Sequence, residues 1–263
     1  MKRFSSWDTR VKQTIIKLAA LFFWLLVWEA VSRYVGREIL VVSPIRALGR
    51  LVELSGTATF WRAVGTTCWR VLEGFGLSIL VGTILAVLTH WSKFLKHLFD
   101  PILGVFRATP LAAIIILALV WIARGRIPVF VVFLMVFPVI WTNLYAGLKE
   151  VDPGLLEMGK VFRFSLWKKI RYIYLPELMP YIVSALVTGL GIAWKSAIGA
   201  EVLARPPGTM GNHIFDSRIY LQVADLFAWT IAVIALSILL EKGMVWLLAQ
   251  GSRRLAGKGG RTV

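Results

Sequence analysis

The stretch that decides the fold is residues 155–176, LLEMGKVFRFSLWKKIRYIYLP, a basic amphipathic segment between long apolar runs. Asp152-Pro153 predicts a helix start just before it, because Asp caps free N–H groups and Pro suits the first turn. Ser165 is placed to cap a second helix, which Pro176 is expected to end. The sequence therefore predicts a helix–turn–helix insert flanked by membrane spans.

The composition is that of a polytopic membrane protein. The chain has 263 residues, 58% of them hydrophobic, and a mean hydropathy of +0.73. Soluble domains are about 45–50% apolar. The 12 Trp and 15 Phe suit a protein whose rings sit at bilayer interfaces.

The net charge of +16 does not indicate nucleic acid, because Lys and Arg collect in loops that stay cytoplasmic. Cys68 is the only cysteine, so no intrachain disulfide can form. The His residues lack metal-ligand spacing, and no phosphate-cradling G-x-x-x-x-G-K-[ST] motif is present. No catalytic set emerges, and the chain is not expected to bind ATP through such a loop.

Six apolar stretches are long enough to cross a bilayer core of about 30 Å. The predicted fold is an all-α integral membrane bundle of six helices with an insert between spans 4 and 5. Residues 1–14 precede an uncleaved first span, residues 15–250 form the membrane domain, and residues 251–263 form a basic tail. The predicted spans are 15–32, 71–90, 101–121, 128–148, 178–203 and 226–249.

Basic residues set the orientation. With the N-terminus inside, 18 of the 30 Lys and Arg lie on the cytoplasmic side and 10 outside. Both termini and the loop 149–177 are then cytoplasmic, and residues 33–70 are outside. Within that outer loop, Ser43-Pro44 predicts the start of a short amphipathic helix on the membrane surface.

Two roles fit the amphipathic insert. One is a membrane-surface helix held by lipid. The other is a docking element for a cytoplasmic protein, because helix-in-groove recognition uses the same apolar spacing.

The insert resembles the EAA loop of ATP-binding-cassette importer permeases. Glu157 takes the Glu position of that pattern, and Leu175-Pro176 takes its hydrophobic ending. Met158 and Gly159 stand at the two Ala positions. Arg163 stands where the family has a Gly that allows a sharp turn between two helices.

The resemblance covers about residues 15–250 and is strongest to the nitrate, sulfonate and taurine group of permeases. Trp121-Ile122-Ala123 departs from that group's usual Trp-Phe-Gly. The supporting fragments, in order, are Arg107-Ala108-Thr109-Pro110-Leu111, Phe137-Pro138 with Asn143 and Gly147, Val151-Asp152-Pro153, Leu175-Pro176-Glu177, Gly191-Ile192-Ala193-Trp194, Ala200-Glu201 and Gly208-Thr209-Met210-Gly211.

The resemblance implies a transmembrane permease subunit in the bacterial inner membrane, without enzymatic activity of its own. Two copies would form the pathway, a cytoplasmic ATPase dimer would bind ATP and Mg, and an external solute-binding protein would deliver the substrate. The substrate implied is a small anion such as nitrate, bicarbonate or a sulfonate, with a vitamin or pyrimidine precursor as the alternative. The ATPase-coupling residues implied are Asp152, Leu155, Leu156, Glu157, Gly159, Arg163, Leu175 and Pro176.

Four residues near or within spans are predicted to line the pathway: Lys195, Arg107, Trp194 and Glu201. Lys195 shares one helix face with Ser184, Thr188 and Gly191, whose small side chains allow close helix packing. It could instead be paired with Glu29, Glu73 or Glu201, or snorkel to the interface. Arg107 could likewise snorkel to headgroups.

Glycines and prolines within spans mark special helix geometry. Gly74, Gly76 and Gly82 are predicted to sit at close helix contacts. Pro110 and Pro138 are predicted to kink their helices.

Two other functions fit a six-span protein. A secondary transporter or channel would leave the basic insert unexplained, and no inverted repeat is found. An intramembrane enzyme is disfavoured because no catalytic set is present.

Overall fold

The computed structural model describes the backbone of residues 5–259 and the side chains of residues 15–106, 108–248 and 250. This part of the chain is helical and contains no β-strand. The helices are α1 Ser5–Val35, α2 Pro44–Ser55, α3 Ala58–Trp91, α4 Lys93–Ala108, α5 Leu111–Trp121, α6 Ile127–Lys149, α7 Pro153–Val161, α8 Leu166–Lys169, a π-helical turn Ile170–Tyr174, α9 Leu175–Ala204, α10 Met210–Ile219 and α11 Val223–Gly259.

Five helices of the described chain are long and apolar enough to cross a membrane. A sixth span exists if α4 and α5 are counted together. The all-helical membrane fold that the sequence predicts is therefore confirmed. Only the third span differs in form, because it consists of two helices and not one.

The third span is broken. The sequence predicts one kinked helix over 101–121, but α4 and α5 meet at a bend of 101°. Pro110 holds Thr109 in an extended conformation (φ −78°, ψ 126°), and so stops α4 one residue earlier. Pro110 itself stands at the N-cap position of α5, without a side-chain cap hydrogen bond. The predicted kink at Pro110 is thus a complete break, whereas Pro138 lies inside the continuous helix α6.

The second span starts earlier than predicted. Helix α3 begins at Ala58 rather than at residue 71, so residues 58–70 belong to a helix and not to an outer loop. The short amphipathic helix predicted after Ser43 is confirmed as α2, and the Ser43 side chain accepts a hydrogen bond from the Arg46 N–H.

The chain divides into two compact units. The first comprises the chain up to Phe60 together with His213–Ala232. Arg50 fixes α2 to the first turn of α11 through two bonds to the Asp225 carboxylate, at 2.5 and 3.1 Å. This hydrogen-bonded carboxylate, helped by Glu53, raises the pKa of Arg50 above its ordinary value.

The second unit comprises Trp61–Asn212 and the chain from Val233 onward. Its centre is α6, which packs along α9 and against α4 and α5. Helix α3 approaches α6 closely at two glycines: a Cβ on Gly74 would lie 2.7 Å from the Val129 carbonyl oxygen, and one on Gly82 would lie 2.9 Å from Ile140 Cβ. Gly76 faces open space, so the predicted close contact is wrong there. A single membrane domain over 15–250 stays a prediction.

Candidate functional site

The insert forms a helical hairpin, made of α7, a tight turn and α8 with its π-helical continuation. The Asp152 side chain accepts a hydrogen bond from the Gly154 N–H at 2.7 Å and caps α7, with Pro153 in the first turn. The Ser165 side chain accepts from the Lys168 N–H at 3.4 Å and caps α8. Both predicted caps are therefore confirmed.

The turn between the two helices depends on Arg163. Its φ of 50° is left-handed, a conformation that favours glycine. The Phe164 N–H bonds the Gly159 carbonyl at 2.8 Å, and the Arg163 N–H bonds the Lys160 carbonyl at 3.0 Å. These two bonds form a Schellman motif in which Arg163 occupies the position where Gly is usual. The sharp turn is thus made without glycine.

The two arms of the hairpin meet at Gly159. It is buried, and a Cβ added there would lie 2.9 Å from Ile173 Cδ1 and 3.8 Å from Phe164. Of the residues implied to couple to an ATPase, Leu155 and Leu156 are half-buried and Glu157 is exposed.

The prediction that Pro176 ends the second helix is wrong. The chain stays helical from Leu166 to Ala204, and Leu175 and Pro176 form the first turn of α9. The preceding π-helical turn bonds the Leu175 N–H to the Ile170 carbonyl, five residues back. Pro176 follows this wider turn directly, so the proline lies within a continuous helix and not at its end.

The sequence interpretation missed the most exposed apolar surface of the hairpin. Four side chains around the turn form this surface, called here the hairpin tip: Val161 is 78% exposed, Phe162 69%, Leu166 65% and Trp167 70%. They flank Arg163 on both sides in the chain. The sequence signal for this surface was the pair of apolar residues on each side of the predicted turn.

The three predicted pathway residues whose side chains are described, Lys195, Trp194 and Glu201, do not share one surface. Lys195 is exposed on α9, as are Ser184 and Thr188 on the same helix face. Trp194 is buried and donates a hydrogen bond from Nε1 to the Val233 carbonyl at 3.1 Å. The side chain of Arg107 lies outside the described residues. A pathway role for any of them stays a prediction.

Lys195 is not paired with a carboxylate in the described chain. The three proposed acidic partners each have another cation: Glu29 pairs with Arg33, Glu73 with Arg126, and Glu201 lies nearest Arg70. The alternative of a buried ion pair is therefore wrong for Lys195.

Glu201 is the centre of a buried polar cluster. It has no exposed surface, and its Oε2 accepts hydrogen bonds from Thr67 Oγ1 at 3.0 Å and from the Gly211 N–H at 3.1 Å. Thr67 Oγ1 in turn accepts from the Met210 N–H at 3.1 Å. Glu201 Oε1 lies 3.9 Å from Arg70 Nη1. The cluster ties α3, α9 and the start of α10 together.

Comparison with known proteins identifies the class. The chain belongs to the family of binding-protein-dependent transport system inner membrane components, which matches residues 78–255. The predicted family is thereby confirmed, and the chain is a membrane permease and a transport component. Membership removes the secondary transporter, channel and intramembrane enzyme as alternatives.

Individual relatives agree with this class. The chain is similar to the bicarbonate transport system permease protein CmpB of Synechococcus elongatus, with 24% identity over 92% of this chain and 90% of that protein. It is also similar to the taurine transport system permease protein TauC of Escherichia coli, with 24% identity over 89% and 87% of the two chains. A crystal structure of an amino acid ABC transporter with histidines shares the fold, with a TM-score of 0.59 and 19% identity over 79% of this chain and 96% of that one.

Proposed function

We propose that this permease couples to a cytoplasmic ATPase through the hairpin of α7 and α8. The observation that carries the proposal is the hairpin tip, whose four large apolar side chains are exposed at a capped, well-defined turn. An exposed apolar patch on a rigid element is typical of a surface that meets another protein. Charged residues surround this patch and would orient the partner protein on it. They are the acidic Glu157 and the basic Lys160, Lys168 and Arg171.

ATP hydrolysis, with ATP and Mg, belongs to the partner ATPase in this proposal. Both termini of the permease lie in the cytoplasm, and an external solute-binding protein delivers the substrate. Two copies of the chain enclose the pathway. The exposed face of α9 that carries Ser184, Thr188 and Lys195 supports this arrangement, because a membrane helix presents such polar groups to protein or water and not to lipid.

The substrate proposed is a small anion such as bicarbonate, nitrate or a sulfonate. Two relatives are named as permeases for bicarbonate and taurine, both of which carry an anionic group. Lys195, free of a carboxylate partner in the described chain, supplies a compact cation for such a group. A vitamin or pyrimidine precursor is the alternative substrate.

Removal of the hairpin tip tests the coupling. The double variant Phe162→Ala and Trp167→Ala should lose co-purification with the P-loop ATPase partner, since large aromatic anchors dominate interfaces of this kind. The matched control is Trp69→Ala with Trp61→Ala, two exposed aromatic residues of α3. If the hairpin variant retains its ATPase while the yield of permease is unchanged, the hairpin is not the docking element.

A further inference from the structure

A basic cavity of about 540 Å³ lies where the end of α3, the start of α4 and the end of α6 meet. It is at the same end of the second unit as the hairpin, because α6 leads from Lys149 directly to Asp152. Its lining holds three lysines and two histidines against one carboxylate. These residues are His90, Lys93, Lys96, His97, Lys149 and Asp100.

The one carboxylate in this lining, that of Asp100, is already paired with a lysine. Asp100 receives both of its short contacts from Lys96 Nζ, at 2.6 and 2.7 Å, and that same Nζ lies 4.7 Å from the centre of the Tyr145 ring. Lys93 and Lys149 are exposed and have no carboxylate partner among the described side chains. The cavity therefore keeps at least two positive charges that nothing in this part of the chain neutralises.

An unpartnered apolar surface adjoins the basic cavity. Phe94 is 75% exposed, Leu98 52%, Ile102 43% and Val105 62%, at helical spacing along α4. The neighbouring face of α4 is packed, since Phe99 and Phe106 make edge-on ring contacts with Trp141 and Phe137 of α6. Helix α4 thus presents a basic edge and an apolar stripe side by side.

A second, apolar cavity approaches the basic one along α3. It has a volume of about 310 Å³, and its lining includes Val87, Leu144 and Leu148. Val87 and His90 share one face of α3, so the two cavities come within one helical turn, about 4.5 Å of rise. A single molecule could place a charged group in one cavity and hydrocarbon beside the other.

We infer that this site binds an anionic phospholipid, with its phosphate in the basic cavity beside Lys93 and Lys149 and its acyl chains on the α4 stripe. Basic pockets between membrane helices recognise anionic headgroups, and each lysine near the membrane surface contributes about 1 kcal/mol to such binding. A free inorganic phosphate would use the same charges. It would leave the apolar stripe uncovered, which favours the lipid.

The test compares lipids retained by the purified transporter complex. In mixed phosphatidylglycerol and phosphatidylcholine, the parent complex should retain phosphatidylglycerol preferentially, measured by native mass spectrometry and by lipid extraction. The double variant Lys93→Gln and Lys149→Gln should weaken that retention by roughly thirtyfold, since two lysines are lost. The charge-matched control, Arg62→Gln with Arg124→Gln, removes two exposed cations outside the cavity and should retain the lipid like the parent.

A second measurement needs no variant. The unfolding temperature of the parent complex should be higher in phosphatidylglycerol nanodiscs than in phosphatidylcholine nanodiscs, and inorganic phosphate at millimolar concentration should not reproduce the gain.

Equal retention of phosphatidylglycerol by the cavity variant and the parent would overturn the inference. So would full replacement of the lipid by inorganic phosphate, which would make the cavity a small-anion site. Loss of the ATPase from the hairpin-tip variant is a separate outcome, so the two proposals fail independently.

Discussion

Arg163 adopts a backbone conformation that costs an L-residue about 1–2 kcal/mol, because its Cβ crowds the following carbonyl. Arg163→Gly should therefore raise the free energy of unfolding by about 1 kcal/mol, seen as a higher unfolding temperature of the purified transporter. The control is Arg163→Ala, which removes the exposed side chain but keeps the strained backbone. If Ala stabilises as much as Gly, the side chain and not the backbone is responsible.

Lys195 is the residue for which a transport measurement is decisive. Lys195→Met keeps length and removes charge at an exposed position, so we expect transport of the anion to fall at least tenfold with little change in yield. Lys242→Met is the matched control, since Lys242 is exposed on α11. Unchanged transport by the Lys195 variant would show that no passing anion depends on this cation.

At the scale of elements, Gly74 and Gly76 of α3 form a matched pair. Gly74→Ala should destabilise the protein by about 1–3 kcal/mol, because the new methyl group would meet the Val129 carbonyl and the Val132 side chain. Gly76→Ala should be neutral or stabilise by up to about 1 kcal/mol, because nothing lies within 4 Å and Ala favours helix. Unfolding temperatures of the two variants check this. A loss of equal size in both would mean that close approach to α6 is not what Gly74 provides.

Local chemistry explains which elements could be predicted from the sequence. The caps at Asp152 and Ser165 and the start of α2 after Ser43 depend on neighbouring residues alone, and all three are correct. Pro176 was misjudged because a proline that ends a helix and a proline that follows a π-helical turn within a continuous helix carry the same local pattern. At Pro110 only a kink was predicted, and the complete break, with its bend of 101°, depends on how α4 packs against α6.

The buried cluster could not be predicted, because Thr67 and Glu201 are 134 positions apart in the chain. Nothing in the sequence distinguishes Arg70, which lies nearest Glu201, from the other basic residues of its segment. The packing of Trp194 against the Val233 carbonyl is likewise a contact between distant elements. What the sequence predicts well is therefore the order of elements and the class of the protein, and what it misses is long-range pairing.

At the scale of the whole molecule, the broken third span must still cross the bilayer if both α3 and α6 end in the cytoplasm. Helix α5 has 11 residues and covers about 16 Å, roughly half of a 30 Å core. Its packing against α6 and α9 provides the protein surroundings that irregular backbone needs at membrane depth.

Accessibility of engineered cysteines checks the crossing. In a Cys68→Ser background, Lys93→Cys at the start of α4 should react with an impermeant maleimide only from the cytoplasmic side, and Arg124→Cys, which follows α5, only from outside. Labelling of both positions from the same side would mean that α4 and α5 do not cross.

The unbroken helix from Leu166 to Ala204 also has a mechanical consequence. Its 39 residues make a rod about 58 Å long, with the hairpin at one end and the Glu201 cluster near the other. If such a rod pivots near its middle, each degree of tilt displaces its two ends by about 0.5 Å in opposite directions. The π-helical turn and Pro180 are two places within it where the backbone hydrogen bonding departs from the regular α-helical pattern. A displacement of the hairpin would therefore move the far end of the helix in the opposite direction, because no loop lies between the two ends.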